Sequence, residues 1–231
     1  SSQGFDSLEP GLWVSQWQDN YDDSRILLMD KILELKASGT IVAFIPNRDC
    51  LILVDSGNDI AMKAAIELVE KAADHPRHVT LQPYQITEAG IALYSPHPDA
   101  AWAHDIRLLH VRAKMLDHQE QKHHLEQHFQ AIGEDVFVAT FSAMQSDNGE
   151  VFSFCTWAET VPTYLPRTDY VALVQVTEGT TGKQLGMVKW EEIMLHCSDL
   201  LSRQSFYPDR YFVDAFPSAE ILDRMTFDRK N

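Results

Sequence analysis

The sequence has only three cysteines, Cys50, Cys155 and Cys197, and no Cys-x-x-Cys pair. Three are too few for a disulfide-built scaffold. Cys50 and Cys155 lie in apolar runs, where cysteine behaves as a small hydrophobe. A reducing cytoplasm is the expected compartment. No apolar run approaches the roughly 20 residues that cross a bilayer as a helix, so no membrane span is expected. The opening stretch SSQGFDSLEPGLW has neither the basic nor the apolar region of a signal peptide. Positive charge is scarce: 19 Lys and Arg stand against 34 Asp and Glu, a net charge of −15. Such a field repels phosphate backbones and anionic lipid, which disfavours nucleic acid and membrane surfaces as partners. Solubility is the simplest meaning of the acidity. A basic partner, or mimicry of nucleic acid by an antitoxin-like inhibitor, are the sharper ones.

Several catalytic motifs are missing as well. There is no Gly-x-Ser-x-Gly elbow. Gly179-Thr180-Thr181-Gly182-Lys183-Gln184 fails the phosphate-loop pattern in its glycine spacing and in the residue after Lys. It reads instead as a hairpin turn.

What the sequence does contain is 231 residues, 45% of them hydrophobic, enough for one large domain or two small ones. The most informative stretch is Thr40–Gly57, TIVAFIPNRDCLILVDSG. Two short apolar runs rich in Ile and Val flank Pro46-Asn47-Arg48-Asp49. This predicts a buried β-hairpin, with Pro46 at the turn or its edge. A weaker echo follows at Leu165-Pro166, Asp169, Val171 and Leu173-Val174. The echo predicts a degenerate internal duplication.

In chain order, residues 1–20 read as an irregular N-terminal arm pinned by Trp13 and Trp17. A first α+β lobe spans 21–95, with helices over 24–36 and 60–73. The apolar face of the second helix reads as Ile60, Ala64, Ala65, Leu68, Val69 and Ala72. Two prolines in Ser95-Pro96-His97-Pro98-Asp99 mark the boundary. A second α+β lobe spans 96–231 and begins with a long helix over 101–132. Strands follow over 135–143, 151–158, 170–177, 185–190 and 207–216, with Asn148-Gly149 as a hairpin signal. The expected fold is therefore α+β: two related α-β-β-α-β lobes with antiparallel sheets flanked by helices.

Leu53-Val54-Asp55-Ser56-Gly57 matches the loop of an aspartic protease, in which two carboxylates share one proton. The second Asp is missing at the repeat position, where Gln175 stands. A homodimer could supply it. The alternative is a strand end followed by a helix cap, with Asp55 and Ser56 binding backbone. The segment His118–His128 places His124 and His128 one helical turn apart, a weak metal candidate. Glu120 lies about 12 Å from His128 along such a helix, so one ion cannot take all three. A solvated helix face is the plainer reading. Arg48-Asp49 and Thr168-Asp169 stand at equivalent strand starts. They fix turns, or they form a paired contact surface. Strand alternation would place Tyr207, Tyr211 and Val213 on one face, as core or as an edge that recruits a peptide.

Asp19-Asn20-Tyr21-Asp22-Asp23-Ser24-Arg25-Ile26-Leu27-Leu28, followed by Val42-Ala43-Phe44-Ile45-Pro46-Asn47-Arg48-Asp49-Cys50-Leu51-Ile52-Leu53-Val54, resembles part of the YtpQ-like family of bacterial proteins. The resemblance covers roughly residues 19–75. It implies a bacterial cytoplasmic protein and brings no catalytic residue. Where that family has a Thr-Gly-Ser-like turn, this chain has Asp55-Ser56-Gly57. Together these readings predict a non-enzymatic protein- or peptide-binding module that needs no cofactor. The candidate surface comprises Arg48, Asp49, Asp55, Thr168, Asp169, Tyr207 and Tyr211. A hydrolase acting through Asp55, or through a metal on His124 and His128, is the rival.

Overall fold

In the computed structural model, residues 4–17, 19–73, 77–176 and 182–228 are described. The chain is α+β and divides into two compact units, Ser1–Ala113 and Lys114–Asn231.

The first unit holds strands β1 (Phe5–Glu9), β2 (Leu12–Ser15), β3 (Ile41–Asn47), β4 (Cys50–Asp55), β5 (His78–Thr87) and β6 (Gly90–Leu93). Its helices are α1 (Met29–Leu33), α2 (Asp59–Ala73) and the start of α3 (Ala103–Ile132). The six strands form one antiparallel sheet in the order β1-β2-β4-β3-β5-β6. The expected hairpin is its centre. Val42 faces Val54, Phe44 faces Ile52, and Asn47 faces Cys50 across the two-residue turn Arg48-Asp49. Period-2 alternation explains its unbroken apolar runs. Val42, Phe44, Ile52 and Val54 pack towards Met62, Ala65 and Val69 of α2 and Ile106 of α3. Ala43, Ile45, Leu51 and Leu53 face the other way, onto Phe5, Trp13, Ile26 and Ile32. Both faces are covered, and each buried Ile, Leu, Val or Phe side chain is worth about 1.5–3 kcal/mol. Pro46 sits inside β3, where the pairing register shifts between Phe44 and Asn47. A bulge tolerates the missing N–H.

Four local expectations are corrected here. Residues 5–15 are a paired hairpin rather than an irregular arm, since Phe5, Leu12 and Trp13 are buried. The helix expected over 24–36 is a 3-10 turn at Asp23–Leu27 followed by the single turn of α1. Its apolar residues surround the axis and form no stripe, and only Ile26 and Ile32 are buried. The inner face of α2 is Ala61, Met62, Ala65, Ile66 and Val69, while Ile60 is exposed. The division between units falls within α3, past the prolines at 96 and 98.

The second unit holds β7 (Phe137–Val138), β8 (Ser142–Gln145), β9 (Val151–Ala158), β10 (Thr163–Pro166), β11 (Tyr170–Val176), β12 (Gly182–Lys189), β13 (Ser202–Arg203), β14 (Arg210–Val213) and β15 (Phe227–Asp228). Its helices are the rest of α3, α4 (Trp190–Cys197) and α5 (Ala219–Leu222). One sheet runs β13-β14-β10-β7 and the other β15-β12-β11-β9-β8. They are mixed, since β10 runs parallel to β7 and β11 parallel to β9. Trp157, Leu165, Val171, Leu173, Trp190, Ile193 and Val213 form the core. The turn expected at Gly179-Thr180-Thr181 lies outside the described residues.

The echoed sequence is not echoed in pairing. Ile45-Pro46 and Leu51–Val54 belong to partner strands of one hairpin. Leu165-Pro166 belongs to β10, while Val171–Val174 belongs to β11 in the other sheet. The intervening residues account for the difference. The Thr168 hydroxyl donates to the Tyr170 carbonyl at 2.7 Å, and Asp169 accepts from Ser153 N and Oγ, both at 2.7 Å. These bonds tie the step to β9 and carry the chain onward to a second sheet.

Candidate functional site

Each residue singled out from the sequence has a definite structural setting. Asp55 ends β4 and is 5% exposed. Its Oδ2 accepts from Ser38 N at 2.7 Å and Ser38 Oγ at 2.8 Å. Its Oδ1 accepts from Gly39 N at 2.8 Å and Gly57 N at 2.9 Å. Burial pushes the carboxyl pKa up, but the bonds from Ser38, Gly57 and Gly39 outweigh it and hold the group below its ordinary value. The two loops it joins lie so close that a Cβ on Gly39 would come within 2.6 Å of Gly57 N. With four donors, the carboxylate is a buckle between residues 38–39 and 55–57. Ser56 Oγ adds to it by accepting from Thr40 N at 3.0 Å.

The cysteines offer no ready nucleophile. Burial pushes the Cys155 thiol up to about 12, and the Cys50 and Cys197 thiols up to about 11. His124 and His128 lie on an exposed face of α3, and His124 Nε2 is 4.0 Å from Glu120. Among the described residues, no three His, Cys, Asp or Glu side chains gather as a metal-holding group.

Asp49 pairs with Arg77 at the hairpin turn, and its own N–H donates to Asn47 Oδ1 at 3.0 Å. Asn47 is buried and donates from Nδ2 to the Ala72 carbonyl at 3.1 Å, so it ties the turn to the end of α2. Arg48 is exposed in the first unit. Thr168 is buried in the second, with its hydroxyl 3.4 Å from Cys155 Sγ. Tyr211 is also buried, with its ring against Trp190 at 5.1 Å. β14 begins only at Arg210, so Tyr211 and Val213 share the core face while Tyr207 precedes the strand. Tyr207 is 84% exposed.

Tyr207 borders a groove of about 460 Å³ in the second unit. One wall is the α3 surface at Asp117, Glu120, Gln121 and His124, with Leu125 beside it. The other is the segment 205–208, to which Phe206, Tyr207 and Pro208 contribute. A residue that the sequence did not single out builds this wall. Arg210 is 0% exposed. Its Nη1 donates to the carbonyls of Ala139 at 2.8 Å and Tyr164 at 3.0 Å, and its Nη2 to that of His118 at 3.3 Å. Its Nε donates to Gln121 Oε1 at 2.6 Å, and Gln121 Nε2 donates to the Pro208 carbonyl at 2.6 Å. The relay fixes segment 205–208 against α3. Burial lowers the Arg210 pKa to about 10, still cationic at neutral pH. The available signal was a lone Arg between two aromatic pairs, but its partners lie 46 to 92 residues away.

Nearby, His118 stacks on Phe141 at 4.9 Å, and its Nδ1 is buried with no hydrogen-bond partner among the described residues. Burial first, then the Arg210 charge, pushes its pKa down to about 4, against weaker opposite effects of Gln121 and Asp209. Phe206 joins an aromatic group in which the Tyr164 ring lies 5.0 Å from Phe129, 5.0 Å from Phe212 and 5.9 Å from Phe206.

The class these features define is an α+β protein with a preformed surface groove and an interior in which Asp55 and Arg210 are held by hydrogen bonds. Compared with protein-family models, with curated proteins and with solved structures, the chain shows no match. No helix among the described residues is long and apolar enough to cross a membrane.

Proposed function

We propose that the chain is a non-enzymatic module that binds a protein or peptide through the groove beside Tyr207. The observation that carries this reading is an exposed aromatic side chain on a wall pinned by a buried arginine. A rigid pocket with an aromatic rim captures side chains at little cost in ordering. The committed state of the Asp55 carboxylate and the raised thiol pKa values favour this reading over a hydrolase. The resemblance of residues 19–75 to the YtpQ-like family, and with it a bacterial cytoplasmic setting, belongs to the same proposal.

Selection of displayed random peptides on the immobilised protein tests the reading. Enriched peptides are expected to bind the wild type and to lose about tenfold or more in affinity on Tyr207→Ala. A selection that enriches nothing, or peptides indifferent to Tyr207→Ala, would overturn it. Steady hydrolysis of a peptide substrate by the purified chain would also overturn it.

A further inference from the structure

Asn148-Gly149, the hairpin signal of the sequence, joins β8 to β9. The pair carries chemistry of its own. A backbone nitrogen that follows asparagine attacks the side-chain amide carbon when no side chain of its own shields it, and only glycine has none. A Cβ built on Gly149 would meet only Gln145 Nε2, at 3.9 Å, so no neighbour crowds the residue. Asn148 is exposed, and its Nδ2, the amine that must leave, has no partner among the described residues. Its Oδ1 accepts from Glu150 N at 3.1 Å, and the Ser146 hydroxyl donates to the same oxygen. Donors placed there stabilise the negative charge that gathers on Oδ1 as the nitrogen adds. The Gly149 N–H donates to the Ser146 carbonyl at 2.8 Å, so the turn must first open that bond. Exposed turns open locally at low cost.

The other described asparagines are shielded. Asn47 is buried, donates from Nδ2 to the Ala72 carbonyl at 3.1 Å and is followed by Arg48. Asn58 donates from Nδ2 to the Pro10 carbonyl at 2.8 Å, its Oδ1 caps α2, and Asp59 follows it. Asn20 accepts from Arg77 Nη1 at 2.6 Å and is followed by Tyr21. The place of Asn148 in the sheet gives its chemistry a consequence. β8 is the outer strand of the five-stranded sheet and pairs with β9 alone. Ser146 N donates to the Glu150 carbonyl at 2.9 Å, and this closed turn sets Gln145 against Val151.

We propose that Asn148 is a self-modifying site, and that its conversion to isoaspartate loosens β8 from β9. Gly149 N gives its proton to hydroxide and bonds to Asn148 Cγ. The Cγ–Nδ2 bond breaks, and ammonia leaves with a proton taken from water. Water then opens the succinimide ring. Opening at the backbone carbonyl of residue 148 leaves the chain running through Cγ, as isoaspartate, and opening at Cγ leaves ordinary aspartate. Water is the sole co-reactant. Either product sets a new carboxylate between Asp147 and Glu150, and isoaspartate adds a methylene to the backbone of the turn. The test holds the full chain, labelled with ¹⁵N, in mildly alkaline buffer beside the free, end-capped peptide Ser-Asp-Asn-Gly-Glu. Mass mapping and labelling by an isoaspartate methyltransferase follow both. Conversion is expected at residue 148 and not at residues 20, 47 or 58, with isoaspartate exceeding aspartate. Its rate should be proportional to hydroxide and slower than in the free peptide, where no fold holds the Gly149 N–H. Asn148→Gln, an exposed change that lengthens the side chain by one carbon, should abolish the labelling. Amides of residues 142–145 should exchange hydrogen faster in the converted chain than in the fresh one. No conversion at residue 148 once the free peptide has fully reacted, or equal conversion at another of the three asparagines, would overturn the proposal. So would labelling that survives Asn148→Gln, or exchange in β8 that conversion leaves unchanged.

Discussion

Asp55 contributes to the fold through its negative charge. Its folded pKa is depressed, so the contribution is complete above the unfolded carboxylate value of about 4 and is lost as pH falls through the folded value. Asp55→Asn keeps the shape but sets an amide N–H₂ against backbone donors. A loss of about 3 kcal/mol in urea unfolding is expected, with the native strand content retained in the surviving folded fraction. His118 acts in the same pH direction over a higher range. Its ordinary value is 6.5 and its folded value about 4, so between these the unfolded chain binds the proton more readily. Stability therefore falls as pH drops from 6.5 towards 4, by about 3 kcal/mol at the lower end. His118→Phe keeps the stack on Phe141 and should flatten that slope. Denaturant midpoints of both proteins at pH 7.5 and pH 5 give the comparison.

Short elements carry unequal energies. Ile32 is fully buried in α1, whereas Leu27 in the preceding 3-10 turn is 71% exposed. Ile32→Ala should cost about 2–4 kcal/mol, and Leu27→Ala less than about 0.5 kcal/mol. Chemical denaturation of the two variants reads the contrast directly. The same segment shows what the sequence could convey. The β3–β4 hairpin was legible because its alternation faces two cores, making both runs apolar to the end. The segment 24–36 was not, because apolar residues around the whole axis give no direction to pack. β1 was illegible for the opposite reason: only Phe5 among its five residues is buried. Of the groove, Tyr207 could be picked out as one of a cluster of aromatics. Its opposite wall on α3 could not, because about 80 residues separate the two and the Arg210–Gln121 relay that joins them leaves no local pattern. The Pro-x-x-Asp echo was legible as a pattern but not as pairing, since Ser153 and Tyr170 decide where the second copy leads.

Across the whole molecule the charge balance is one-sided. A net charge of −15 on 231 residues repels itself, and salt screens that repulsion. Raising sodium chloride from about 0.02 M to about 0.5 M should therefore raise the melting temperature, because the Debye length drops from above 20 Å to below 5 Å. A flat or falling midpoint in scanning calorimetry would show that attractive pairs dominate instead.

The buried guanidinium of Arg210 also bears on how the chain is made. It gathers the carbonyls of residues 118, 139 and 164 and the amide of residue 121, all synthesised long before it. Until position 210 leaves the ribosome, those acceptors have no such partner and β10 lacks its neighbour β14. The second unit must therefore wait for residue 210, while the first can close its sheet once residue 93 has emerged. Maturation of this protein during translation is thus expected in two separated steps, the first early and local, the second late and dependent on residues from Arg210 onward.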